Sequence, residues 1–556
     1  MNMQHLPIEN STKGRHLAHV RGADAERSQR HEYTTLISAR VALGTLCLML
    51  ILGSGCRSNM VGPDFKTPEA TVAPAWAESE AGPLKPEPAD LSRWWEVFND
   101  PVLNELVQRA LKQNLTLQIA GLRVMEARAE LGIAGGYLYP QAQQLSAGYD
   151  WSYRPNPNTG PRSIQSATVG FDAAWELDIW GKYRRGVESA DANLIANVAS
   201  YDDVLVSITA EVAREYVLIR SLQERIRFAE QNIKIQTRAL EITQALLAGG
   251  VQSELDVQQA STVLSSTKGS VPALQISLRQ AQHALSILLG VPPEDFAQLL
   301  AGPGEIPSPP VEVAVGVPTD LLRRRPDIRQ AEFQAAAQCA QIGVAKAELY
   351  PSLTLLGSFG WSVNDAGNLE LGDLFKSYSF GSDLGPSVSW NIFNYGQIKN
   401  NVRMQDARLQ QLLVNYQNVV LRAAAEVEDA MVSFLQSKEQ ANYFRDGVKS
   451  SQRALDLSLI QYREGITDYQ RVLDSTRSIT LQQDQYVQTM GNISISLVAM
   501  YKALGGGWQV RLGQPFISPE NQKQMEERTR WGKMLKLDSE KLPQEPQKGQ
   551  WRKPDW

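Results

Sequence analysis

Histidine and cysteine are the side chains from which a nucleophile, a proton shuttle or a transition-metal centre is most readily built. Here they are few and scattered. Four of the five histidines, His5, His16, His19 and His31, lie in the first 31 residues, and only His283 follows. The three cysteines are Cys47, Cys56 and Cys339. A disulfide framework or a Cys/His zinc site needs more ligands than this. His283 and Cys339 fall on alanine-rich helical stretches and read as packed or surface residues. The sequence contains no phosphate-cradling glycine loop and no gathered set of carboxylates. The expectation is a chain that is not an enzyme, with no metal and no dissociable cofactor. A net charge of −5 gives no reason to expect a nucleic-acid surface.

Cys56 stands in a different context. Residues 41–52 form a 12-residue run with one threonine and no charge, preceded by Arg40. The run is too short to span a bilayer, which takes ~20 apolar residues. It suits the core of a secretory signal. Gly53-Ser54-Gly55 then lead into Cys56. Small residues before a cysteine resemble the lipobox of bacterial lipoproteins, where the thiol takes the lipid and becomes residue one. The usual pattern has Leu three before the cysteine; here Gly53 holds that place and Leu52 is one further back. The other reading is an ordinary signal cleaved elsewhere. The 40 residues before the apolar run fit either a real extension or a misassigned start. In lipoproteins of this type Asp after the cysteine retains the protein in the inner membrane, so Arg57 is consistent with outer-membrane sorting. Residues 1–55 are read as extension and signal, and 56–100 as a lipidated, extended leader.

The rest of the chain is written twice. Tyr139-Pro140 recurs as Tyr350-Pro351, 211 positions on. Trp175 and Gly181 recur as Trp390 and Gly396, an offset of 215 that also relates Glu211-Val212 to Glu426-Val427, Gly250 to Gly465 and Leu289-Gly290 to Leu504-Gly505. Register held this long indicates internal duplication. The halves are residues 101–290 and 319–508, joined by a linker at 291–318, with a polar, loosely applied tail at 509–556. From Val187 to Ile226 apolar residues recur over 39 positions in 11 steps, the ~3.5-residue spacing of a coiled-coil seam. The spacing predicts a helix over 182–249, roughly 100 Å long. Shorter helices over 102–138 and 252–289 would match its length if stacked end to end. Pro272 should kink the second of them.

Four segments alternate with period two: about 144–153, 165–177, 353–363 and 382–392. Leu145, Tyr149 and Trp151 oppose Gln144, Ser146 and Asp150; Leu384, Val388, Trp390 and Ile392 oppose Asp383, Ser387 and Asn391. One apolar face, about ten residues and terminal aromatics are the signature of membrane-barrel strands. Four strands cannot close a barrel, for which ~8 is the practical minimum. Open edges cannot face lipid. Several copies must therefore pool their strands.

The motifs resemble the TolC-like outer-membrane efflux factors, in the lipoprotein branch that serves resistance-nodulation-division pumps. The resemblance is carried by Val61-Gly62-Pro63-Asp64-Phe65, Trp94-Trp95-Glu96-Val97-Phe98-Asn99-Asp100-Pro101, Leu321-Leu322-Arg323-Arg324-Arg325-Pro326-Asp327-Ile328, Ile342-Gly343-Val344-Ala345-Lys346-Ala347 and Tyr501-Lys502-Ala503-Leu504-Gly505-Gly506-Gly507-Trp508. It implies a mixed α and β chain. Three copies would form a twelve-stranded outer-membrane barrel continuous with a periplasmic helical tunnel. It also implies a periplasmic adaptor, an inner-membrane pump and the export of drugs or other small molecules. Within that frame Gly250, Val251, Ser253, Leu255 and Asp256, with Gly465, Ile466, Thr467 and Tyr469, form adaptor-docking tips. Ser253 and Thr467 are plausible helix caps. Asp468 is the candidate for a closing ring of carboxylates, although the family's acid aligns either there or at Thr467, and a solvated cap is the plain alternative. Arg323, Arg324 and Arg325 are expected in ion pairs rather than at a ligand. A type I protein-secretion duct of the same fold and a structural coiled-coil surface lipoprotein are the competing functions.

Overall fold

The structure, a computed structural model, describes residues 60–537 apart from 79–81, 86, 88–89, 155–161, 294–295, 297–299, 301–303, 321–323 and 366–369. Its helices are α1 Pro101–Gln113, α2 Leu115–Gly136, α3 Lys182–Ala248, α4 Glu254–Leu289, α5 Pro326–Ala347, α6 Gln397–Arg463, α7 Tyr469–Ala503 and α8 Pro519–Thr529. Its strands are β1 Leu84–Lys85, β2 Ala142–Arg154, β3 Arg162–Leu177, β4 Val313–Ala314, β5 Ser352–Asn364 and β6 Phe380–Ser389. Two 67-residue helices, α3 and α6, set the dimensions. At a rise of 1.5 Å per residue each is about 100 Å long.

The apolar seam of α3 is buried from Val187 through Val198, Leu205, Val212 and Ile219 to Leu222. Beyond it the buried column turns small and polar, with Ala229, Asn232, Gln236, Ala239 and Thr243. A helix this slender has no globular core to lean on, and its stability comes from the helices alongside it. The shorter helices supply that support by stacking end to end. The expected single helix over 102–138 is broken at Asn114, whose ψ of 124° is not helical and whose side chain accepts from the Leu117 N–H at 2.9 Å. The same side chain donates to the Leu288 carbonyl at 2.8 Å, so the end of α4 abuts the start of α2. Gly290 closes this joint at φ 69°; a Cβ there would lie 2.4 Å from the Gln113 carbonyl oxygen. Its counterpart Gly505, at φ 71°, packs on Arg324 and Arg325 where α7 meets α5. There Arg325 donates to the Ala503 carbonyl at 2.9 Å and Trp508 to the Arg324 carbonyl at 2.9 Å. Pro272 lies inside α4 and does not end it.

The four long strands form one antiparallel sheet in the order β2-β3-β5-β6. The last strand stops short of the expected 382–392. It runs from Phe380 to Ser389, leaving Trp390 and Ile392 outside, because Ser352, which pairs with Ser389, is where β5 begins. The leader is extended but fastened. The Val61 N–H donates to the Trp180 carbonyl at 3.0 Å, Gly62 packs against Gly343, and Leu84 pairs with Val313.

The expected loose tail is corrected in its described part. Residues 509–537 pack onto the first half, with Phe516, Ile517 and Met525 buried. The Phe516 carbonyl fills the space a Gly121 side chain would take, and Arg128 donates to the Met534 carbonyl at 2.6 Å. Residues 538–556 lie outside the described part. The attachment centres on Asp202, which is fully buried. Arg511 holds both of its carboxylate oxygens, one at 3.0 Å, and Arg329 stands 3.6 Å away. Trp508 lies against both guanidinium groups. Removing one partner of a buried ion pair strands the remaining charge, a loss of about 3–5 kcal/mol. Asp202→Ala should therefore lower the thermal unfolding midpoint in detergent and open residues 509–537 to protease. An unchanged midpoint and cleavage pattern would show that Asp202 does not anchor the tail.

Candidate functional site

The sheet separates two environments. Along β2 and β6 the side chains of Leu145, Tyr149, Trp151, Leu384 and Val388 share one face and are exposed, Leu384 to 89%. Cross-strand pairing puts Leu145 beside Phe171, Phe171 beside Phe359, and Leu355 beside Pro386. The other face carries Gln144, Ser146, Asp172, Ser358 and Asp383, with Asp172 opposite Gln144 and Asp383 opposite Ser358. An apolar outside and a polar, acidic inside suit a wall between lipid and water. No helix is long and apolar enough to cross a membrane among the described residues.

At the far ends of α3 and α6 the chain reverses through two matching turns. Gly250 and Gly465 both sit at φ 71°. The Val251 N–H reaches the Leu246 carbonyl at 3.0 Å and the Ile466 N–H the Gln461 carbonyl at 2.8 Å. With Gly250 bonded to Leu247 and Gly465 to Tyr462, each is a Schellman-type helix end, which needs a left-handed residue. The returning helices begin at Ser253 and Asp468, related by the 215 offset, and neither side chain caps its helix. Thr467, expected as a cap, lies one residue too early. Asp468 is exposed, as are Gly250, Val251, Ser253, Leu255, Gly465 and Ile466. Tyr469, expected on the docking surface, is instead 4% exposed. It packs edge-on against Tyr462 with ring centroids 5.3 Å apart. Burial and the nearby Asp256 carboxylate push the Tyr469 phenol up to about 12 and Tyr462 further still. Tyr462, Tyr469, Val472 and Leu455 form a small core shared by both tips. The only sign of Tyr462 in the sequence is an aromatic at each end of the Gly465 turn.

Arg325 pairs with Asp327 at 2.7 Å and with Glu426 at 2.8 Å, a structural use of the basic motif. Arg323 lies outside the described residues, as do Cys56 and Arg57. Burial pushes the Cys339 thiol up to about 11, against thiolate chemistry. His283 is exposed. No cluster of three or more metal-ligating side chains occurs among the described residues.

The sequence profile of the family described as outer membrane efflux protein matches residues 106–291 and 317–506. Nodulation protein T of Rhizobium leguminosarum bv. viciae is 31% identical over 85% of this chain and 94% of its own length. The pyoverdine export outer membrane protein OpmQ of Pseudomonas aeruginosa is 32% identical over 84% and 97%. The solved structure of the outer-membrane channel OprN superposes with a TM-score of 0.76 at 33% identity, covering 81% of this chain and 99% of that one. With its sheet, long helices and repeated turns, the chain belongs to the outer membrane efflux protein family and is an outer-membrane efflux channel.

Proposed function

We propose that three copies of this chain pool their strands into one barrel through the outer membrane and their helices into one periplasmic tunnel. The assembly acts as a passive exit duct for small molecules that an inner-membrane resistance-nodulation-division pump and a periplasmic adaptor deliver. The observation that carries this reading is a four-stranded sheet with an exposed apolar face and two unpaired edges. Such a sheet is stable in lipid only as part of a closed barrel. The matched helices α3 and α6, and the 215 offset between Gly250 and Gly465, support duplicated halves arranged around a common axis. Cys56 takes the lipid anchor, so Cys56→Ser should abolish labelling by an alkyne fatty acid; undiminished labelling would refute the assignment.

The tips meet the adaptor. Val251, Leu255 and Ile466 present apolar side chains to solvent at the end of a helical column, where a helix end of another protein can cover them. Nothing lies within 4 Å of a Cβ added at Gly465, so the constraint there is its left-handed backbone. A bulky residue at that conformation costs roughly 1–2 kcal/mol locally. Gly465→Trp should impair efflux at undiminished oligomer yield. Full resistance to exported drugs in that variant would count against docking at the tip.

Asp468 forms the closing ring. Three exposed carboxylates turned to one axis would repel one another and concentrate cations at the mouth. Asp468→Ala should weaken the cation preference of reconstituted channels and raise their resting conductance. An unchanged reversal potential and conductance would leave Asp468 a helix-start residue without a role in the gate.

A further inference from the structure

The sheet ends in two bare edges, β2 and β6. Its interior holds the pattern for joining them. β3 and β6 correspond at the 215 offset set by Trp175 and Trp390. Along β2 and β5 the offset is 210, set by Trp151-Ser152 and Trp361-Ser362, because the first half has one extra residue after Tyr139. The two hairpins check these offsets independently. β2 and β3 pair positions that sum to 316, as Leu145 with Phe171. Shifting these strands by 210 and 215 gives 741, and β5 and β6 do pair at 741, as Leu355 with Pro386.

The link between the halves is β3 against β5, whose paired positions sum to 530, as Phe171 with Phe359. Moving β3 forward by 215 and β5 back by 210 turns that link into a register for the bare edges, with a sum of 535. We propose that β6 of one copy pairs antiparallel with β2 of the next in this register. Val388 then stands opposite the partner subunit's Ala147, and Leu384 opposite the partner subunit's Trp151. This rests on the reading that copies pool their strands, and specifies how.

The faces of the sheet support the same register. Paired residues of antiparallel strands point to one side. The apolar face of β2 is odd-numbered, as Leu145 and Trp151, and that of β6 is even-numbered, as Leu384 and Val388. Only an odd sum joins like faces, and a slip by one residue would turn every side chain of β6 over. The register also accounts for the early end of β6. Trp390 and Ile392 lie opposite the partner subunit's Leu145 and Gln143, so a second copy supplies the strand that β5 lacks there. Tyr395, fully exposed, takes the place of Trp180, which stacks on Tyr350 at 4.6 Å. Its counterpart surface is the partner subunit's Tyr139.

Cysteine cross-linking tests the register in the full-length lipoprotein, with buried Cys339 replaced by serine. Val388→Cys combined with Ala147→Cys should give covalently linked chains on a non-reducing gel after oxidation in detergent. Val388→Cys combined with Leu145→Cys or with Tyr149→Cys, each displaced by two positions, should leave single chains. Linking by a displaced pair would overturn the register. So would the absence of any link in material that sediments as an oligomer. Either result leaves the pooled barrel standing. Material that sediments as single chains would refute the pooled barrel and the register together.

Discussion

In the hydrocarbon core of a bilayer no water is present to satisfy a backbone N–H or C=O, so every such group must be bonded within the protein. A sheet of four strands violates this along both edges. The exposed apolar face, with Leu145, Tyr149, Leu384 and Val388, equally cannot remain in water. The two demands conflict for one copy and are met together when copies close a ring. Each pair of strands leads into a helix of 67 residues, so in the proposed ring a wall that excludes lipid would continue as a wall of helices.

Helices about 100 Å long create a second problem, which the joints at Asn114–Gly290 and Arg325–Gly505 solve. Two short helices placed end to end flank one long helix, provided the chain can stop one and start another without a gap. The left-handed glycines do this by leaving no side chain between the Gln113 carbonyl and Gly290, or between Arg324 and Gly505. The belt around these joints is where leader, linker and tail converge, and there the buried Asp202 carboxylate stands between Arg511 and Arg329. The ion pairs thus serve attachment, and Arg325 of the 321–328 motif, paired with Asp327 and Glu426, needs no ligand to explain it.

The long helices and the strands were legible because both depend on periodicity, and periodicity survives in a single sequence. The seam from Val187 to Ile226 lies within the helix expected over 182–249, and α3 ends one residue earlier, at Ala248. The break at Asn114 was not legible, since its cause is the distant Leu288 carbonyl. The attachment of the tail is not legible, because its few apolar residues, Phe516, Ile517 and Met525, are diluted among charges, and only the close approach of Phe516 and Ile517 to Gly121 shows where the first two go. The burial of Tyr469 is hidden in the sequence for a related reason. Sequence position located it at the turn, but the aromatic contact with Tyr462 that draws it inward comes from the preceding helix. The end of β6 at Ser389 has another kind of cause, for its partner Ser352 is where β5 begins.

The proposed ring requires that this chain complete its sheet only with copies of itself. The most direct test is native mass measurement of the full-length protein extracted from outer membranes in mild detergent. A pooled barrel gives a species with the mass of three chains, stable until the detergent is exchanged for a denaturing one. A folded species with the mass of one chain would contradict it.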